Sequence, residues 1–130
     1  MIVVDASALL EVLLRTPAAA AVEARLFDPD ETLHAPHLID VEVAQALRRV
    51  ALAGRLDPAR GRTALGIVAD LQLRRYPHTA LMPRVWELRS RLTAYDAIYV
   101  ALAEALDASL VTRDRRLANA AGHGARVELV

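Results

Sequence analysis

The chain has 130 residues, of which sixteen are basic and sixteen acidic, so its formal net charge is zero; every basic residue is Arg. It holds no cysteine, which excludes disulfides and thiolate metal sites and leaves oxygen and imidazole to hold any metal. No apolar run reaches the ~18 residues of a membrane span, and the start Met-Ile-Val-Val-Asp has no basic leader, so a soluble, unprocessed, cytoplasmic protein is expected. A dedicated DNA binder usually carries a basic surplus, and no direct specific DNA binding is expected of a balanced chain, although a local Arg patch can still grip phosphates bidentately.

This length predicts a single domain over residues 1–130 with a real core. At 55% hydrophobic but 4% aromatic, the packing falls to Ala, Leu and Val, which favours helices. Ile2-Val3-Val4 is a β-branched run without alternation, the pattern of a fully buried parallel strand. Asp5 ends it, and Ala6 to Leu14 reads as a helix whose N-terminus Asp5 can cap. A second helix from Ala18 to Phe27 follows Pro17, and Asp28-Pro29-Asp30-Glu31 breaks it. Thr32 to Ala35 is a weak strand, and a long amphipathic helix from about His37 to Ala53 stops at Gly54.

Asp57-Pro58 opens a helix to about Asp70, Leu71 to Tyr76 reads as a strand ended by Pro77, and Thr79 to Leu92 reads as one helix carrying Trp86. Tyr95 to Leu106 is apolar around almost every face of a helix, as a helix packed on several sides must be. Ser109 to Val111 is an inner strand, Arg115 to Ala121 a short helix, Gly122-His123-Gly124 a turn, and Arg126 to Leu129 a last strand. The alternation predicts a mostly parallel sheet with helices on both faces, and in such sheets ligands bind along the edge formed by the strand C-termini.

Four acids then stand out. Asp5 and Asp114 each follow a strand on that edge, Asp96 lies in the first turn of the apolar helix, and Glu42 projects from the Leu38, Ile39, Val43, Ala46, Leu47, Val50 side of its helix. Capping accounts for Asp5 and Asp114 singly, and Thr93 to Asp96 has capping-box spacing. Glu42 fits capping worst: mid-helix among apolar residues it needs a partner, for which an Arg of another helix is one choice. Four carboxylates in one small volume repel strongly without cations, and carboxylate-only coordination suits Mg²⁺, or Mn²⁺. The chemistry that follows is metal-assisted hydrolysis of a phosphodiester, which needs no nucleophilic side chain.

The start Val-Val-Asp-Ala-Ser-Ala, the helix Val-Glu-Val-Ala-Gln-Ala-Leu around Glu42, and the stretches Tyr-Asp-Ala-Ile-Tyr-Val-Ala-Leu-Ala-Glu-Ala-Leu and Leu-Val-Thr-Arg-Asp-Arg-Arg-Leu-Ala resemble, in order and spacing, the PIN-domain ribonucleases, most of all the VapC-type toxins. The resemblance spans the whole chain. It implies a PIN-like three-layer α/β/α sandwich with a mostly parallel sheet and an Mg²⁺- or Mn²⁺-dependent endoribonuclease acting on an RNA substrate. It also implies a VapB-like antitoxin that inhibits the enzyme, and a homodimer. Asp5, Glu42, Asp96 and Asp114 match the family's acidic, metal-binding catalytic positions, and Ser7 and Thr112 match supporting hydroxyls; both hydroxyls can equally bond local backbone.

Arg113, Arg115 and Arg116 flank Asp114 and can steer RNA phosphate or simply keep an exposed helix soluble. His34, His37, His78 and His123 lack ligand spacing and read as loop or surface residues; Trp86 reads as core or interface, and Val85, Trp86, Leu88 and Leu92 as a stripe that can serve a dimer. Among rivals, a haloacid-dehalogenase-type phosphatase wants a second Asp where Ser7 stands, and a response-regulator receiver wants a late Lys that this chain lacks. A non-catalytic RNA- or protein-binding module is the alternative of another class.

Overall fold

The β-branched run forms strand β1 (Ile2–Val4), buried at all three residues. In the computed structural model, which describes residues 1–130, it is joined by β2 (Leu33–Pro36), β3 (Leu73–Tyr76), β4 (Ser109–Thr112) and β5 (Val127–Leu129). The order across the sheet is β3-β2-β1-β4-β5, and every pairing is parallel. Between β1 and β2 lie helices α1 (Ala6–Leu13) and α2 (Ala19–Leu26); α3 (Leu38–Leu52) and α4 (Pro58–Asp70) lead to β3. Helices α5 (Met82–Glu87) and α6 (Ala94–Leu106) return the chain to β4, and α7 (Arg115–Ala118) precedes β5.

Right-handed crossovers sort these helices by face, because the chain steps outward from β1 through β2 to β3 and then reverses to β4. Helices α1 and α3 pack against the sheet on the first leg, with α2 and α4 attached to them, whereas α6 crosses β1, β2 and β4 and carries α5. The result is a three-layer α/β/α sandwich. Its reversal point lies between β1 and β4, whose C-terminal ends form a crevice.

Helix α6 is the central element of the core. Ala97 to Ala103 are all buried, and Tyr99 is among the largest fully buried side chains. The expected all-round apolar character holds over that stretch but not at Tyr95, which is 63% exposed at the helix start. Thr93 caps the helix, accepting from the Asp96 N–H at 3.1 Å. Asp107 ends it in the left-handed conformation, φ 48°.

The expected helix from Thr79 to Leu92 is broken. Pro83 has no N–H and is tolerated only in a first turn, so α5 begins at Met82 after a single 3-10 turn, Thr79–Leu81, and runs out at Glu87. The apolar stripe divides with it: Val85, Leu88 and Leu92 are buried, while Trp86 is 67% exposed beneath the Arg89 guanidinium, 4.7 Å from the ring centroid. Trp86 is therefore not a core residue, and the four do not make one face. His34 is likewise not at the surface. Buried on β2, its imidazole lies 2.8 Å from both the Thr32 hydroxyl and the Tyr76 phenol. His78 accepts the Leu38 N–H at 3.0 Å, at the start of α3.

Candidate active site

At the crevice where β1 and β4 end, a cleft of about 750 Å³ opens between α3 and the start of α6, lined by Asp5, Glu42, Asp96 and Asp114. Each acid arrives on a different element. Asp5 follows β1, Glu42 projects from α3, Asp96 stands in the first turn of α6, and Asp114 precedes α7.

Asp5 occupies the N-cap position of α1, but its side chain makes no cap hydrogen bond, so capping does not account for it. The carboxylate instead accepts from the Thr112 hydroxyl at 2.8 Å and from the Ser7 hydroxyl. The two hydroxyl oxygens stand 3.2 Å apart and also accept backbone N–H groups: Ser7 Oγ from Arg113 at 2.9 Å, Thr112 Oγ1 from Asp114 at 3.0 Å. Local backbone bonding thus describes only part of their role. The same two oxygens tie Asp5 to the loop that carries Asp114, fixing the register of one acid against another.

Glu42 is half-buried, and its partner is not an Arg. The Tyr99 phenol, from the buried side of α6, donates to Glu42 Oε2. Burial pushes the Glu42 carboxyl above its usual range; the Tyr99 bond opposes this, and the charges of Asp5 and Asp96 add to it. Asp96 is also raised, first by burial and then by the charges of Asp114 and Asp5, against a lowering bond with Thr93. Tyr99 is itself raised, by burial first and then by Glu42.

Asp114 behaves differently. It caps α7, accepting the Arg116 N–H at 2.7 Å and the Leu117 N–H at 3.4 Å. Burial alone would raise it, but the Arg116 N–H, the Arg116 guanidinium at 3.3 Å and the Leu117 N–H together hold it below the usual carboxylate range. Asp114 is therefore both a cap and a wall of the cleft.

The basic residues divide. Arg116 lines the cleft, but Arg113 and Arg115 do not. Arg113 is drawn to Glu11 at 3.2 Å and to the Val130 carbonyl, and Arg115 is exposed. Arg49 joins the lining instead, seven residues after Glu42 and so two turns along the same face of α3. Four carboxylates thus face two guanidiniums, an anionic surplus in a partly enclosed space.

The donor set is all oxygen, and no three acids close into a tight chelate. An open carboxylate lining of this kind suits a hard ion that keeps several of its waters, as Mg²⁺ and Mn²⁺ do, and poorly suits a soft or fully caged one. Glu42 and Asp96 are both raised at this spot, by burial first and by neighbouring carboxylates second.

The sequence profile described as the PIN domain matches residues 2–123. The VapC ribonuclease Mb0985 of Mycobacterium bovis is 51% identical over 119 residues, covering 92% of this chain and 90% of its own. Two solved structures share the fold at a TM-score of 0.69 each. One is VapC20 of Mycobacterium tuberculosis, a sarcin–ricin loop cleaving toxin, 18% identical and covering 91% of this chain and 93% of that one. The other is VapBC2 of Rickettsia felis bound to a DNA fragment of its promoter, 16% identical and covering 99% and 98%. The chain belongs to the PIN domain family. Within that family its kinship is with the VapC ribonucleases, the toxin components of VapBC toxin–antitoxin pairs, and its activity is that of an RNA endonuclease.

Proposed function

We propose that the cleft between α3 and α6 is the endonuclease's active site, with Asp5, Glu42, Asp96 and Asp114 as its acids and Mg²⁺ or Mn²⁺ as its ion. The observation that carries this reading is the convergence of four carboxylates from four elements on one cleft, two of them raised by burial and then by the charges of neighbouring acids. A hard divalent ion bound there supplies a Lewis acid and an acidified water, the chemistry that opens a phosphodiester.

The chain's own residues do the rest. Ser7 and Thr112 hold Asp5 in place, Tyr99 holds Glu42, and these two carboxylates with Asp96 and Asp114 are the groups that would hold the ion. Arg116 and Arg49 offer guanidinium forks to the phosphates on either side of the cut. Ser7 is no nucleophile in this reading: its hydroxyl donates to Asp5, and no His lines the cleft. In the cell the protein acts in the cytoplasm and is held in check by a VapB-like antitoxin; the support is that a chain of the VapBC2 structure shares this fold.

The test is incubation of total RNA with antitoxin-free protein in Mg²⁺, Mn²⁺ or EDTA, beside Asp5→Asn. Cuts at defined sites that vanish in EDTA and fall at least a hundredfold in the variant are expected. Cleavage that persists in Asp5→Asn would move the chemistry out of this cleft.

A further inference from the structure

Helix α3 brings Glu42 to the cleft, yet its first turn has no cap of its own: His37, at the N-cap position, makes no side-chain cap hydrogen bond. The turn is held instead from β3 and the loop after it. The His37 N–H is donated to the Tyr76 carbonyl at 2.9 Å, and the Leu38 N–H to Nε2 of His78 at 3.0 Å. Asp40 is gripped by a fork, Arg75 donating from Nε to Oδ2 at 2.7 Å and from Nη2 to Oδ1 at 2.8 Å. The same guanidinium donates to the Leu73 carbonyl at 3.1 Å and to the Val68 carbonyl of α4 at 2.9 Å, so it is anchored to two other elements and does not swing with α3.

The two side chains grip opposite sides of one turn. Leu38 lies about 6 Å before Glu42 along the axis and lines the cleft with it, whereas Asp40 is about 160° round the helix from Glu42. A helix held on both sides of its first turn neither rolls about its axis nor lifts at that end, and a roll of α3 would draw Oε2 of Glu42 off the Tyr99 phenol. Resting on the nuclease reading above, we infer that Arg75 and His78 are positioning residues of the ion site: they fix the roll and direction of α3, and through it the place of the Glu42 carboxylate. Neither lines the cleft, and both act from a distance. The edge strand β3, two strands away from β1, thereby takes part in the site.

The experiment is a Mn²⁺ titration of antitoxin-free protein, read by electron paramagnetic resonance below each variant's melting transition. It takes wild type, His78→Ala, His78→Gln, Arg75→Met and Leu102→Ala, and repeats His78→Ala and Arg75→Met in a Glu42→Gln background. His78→Ala and Arg75→Met should each weaken Mn²⁺ binding about fivefold. His78→Gln, whose amide oxygen can accept the Leu38 N–H, should stay within about twofold of wild type. In the Glu42→Gln background the same two changes should add less than about twofold, because the carboxylate they place is gone. Leu102→Ala, a core change outside these contacts, should lower the melting temperature and leave Mn²⁺ affinity unchanged. Wild-type affinity in His78→Ala or in Arg75→Met would overturn the role of that residue, and losses of equal size with and without Glu42→Gln would overturn both roles, each result leaving the nuclease reading intact. A wild type that binds no Mn²⁺ saturably would overturn the nuclease reading and the positioning roles together.

Discussion

Glu42 and Asp96 hold a proton more readily in the folded chain than in the unfolded one, which sets a sign for their effect on stability. Both folded carboxyls lie above the unfolded values of 4.5 and 3.8, so the folded chain binds protons that the unfolded chain releases. Stability from this source is present at low pH and is lost as pH rises from the unfolded value through the raised folded one. Metal-free Asp96→Asn should therefore be modestly more stable than wild type above the raised value, with the advantage shrinking as the pH is lowered into the acid range. Denaturant titrations of both proteins at several pH values in EDTA check this. Tyr99→Phe removes a bond donated to a half-buried carboxylate and should cost about 1–3 kcal/mol of stability, together with a severalfold loss of Mn²⁺ affinity. Unfolding midpoints and metal titration read the two effects separately. The positions of Asp5, Asp96 and Asp114 are legible in the sequence because strand ends and helix starts are, and that of Glu42 because it interrupts the apolar side of an amphipathic helix. Tyr99 is not, because which way its phenol points depends on how α6 is rotated against α3; the available signal is that a buried phenol needs an acceptor and Glu42 needs a donor.

At the scale of elements, α6 organises the protein because it is buried on every side from Ala97 to Ala103 and touches the three inner strands. Leu102, 2% exposed, packs in that core, so Leu102→Ala should destabilise by about 2–5 kcal/mol while RNA cleavage per folded molecule is retained. A thermal melt beside an activity assay below the transition separates the two. The β-branched runs and the switch to helical periodicity make β1, β4 and α6 readable from the chain alone. The segment from Thr79 to Leu92 is read as one helix because its apolar spacing is continuous, but the missing N–H of Pro83 overrides that spacing. His34 fails for another reason. A polar residue on a four-residue strand looks like surface until the Thr32 hydroxyl and the Tyr76 phenol, one of them on a neighbouring strand, are seen to satisfy both ring nitrogens.

Across the whole molecule, the strand order places function. A sheet that grows outward from β1 and then reverses to β4 leaves a crevice beside β1, and the residues that follow these two strands, Asp5 and Asp114, meet there. Helices α3 and α6, on opposite faces of the sheet, bring Glu42 and Asp96 to the same opening. Zero net charge hides this arrangement, because the surplus of acids is local to the cleft and the Arg residues are spread among ion pairs such as Arg75 with Asp40 at 2.7 Å and Arg84 with Glu104 at 2.7 Å. The parallel sheet is foreseeable from the alternation of elements; the identity of the two cleft guanidiniums is not, since sixteen Arg offer many candidates.

The most direct measurement is a Mn²⁺ titration of the antitoxin-free protein, followed by electron paramagnetic resonance, for wild type and for Asp5→Asn, Glu42→Gln, Asp96→Asn and Asp114→Asn. Wild type is expected to bind saturably, with Mg²⁺ displacing the Mn²⁺; binding should weaken at least tenfold in each variant, and in wild type as the pH is lowered through the raised values of Glu42 and Asp96. Binding of equal strength in wild type and all four variants would contradict it, because the ion would then sit somewhere other than among these acids.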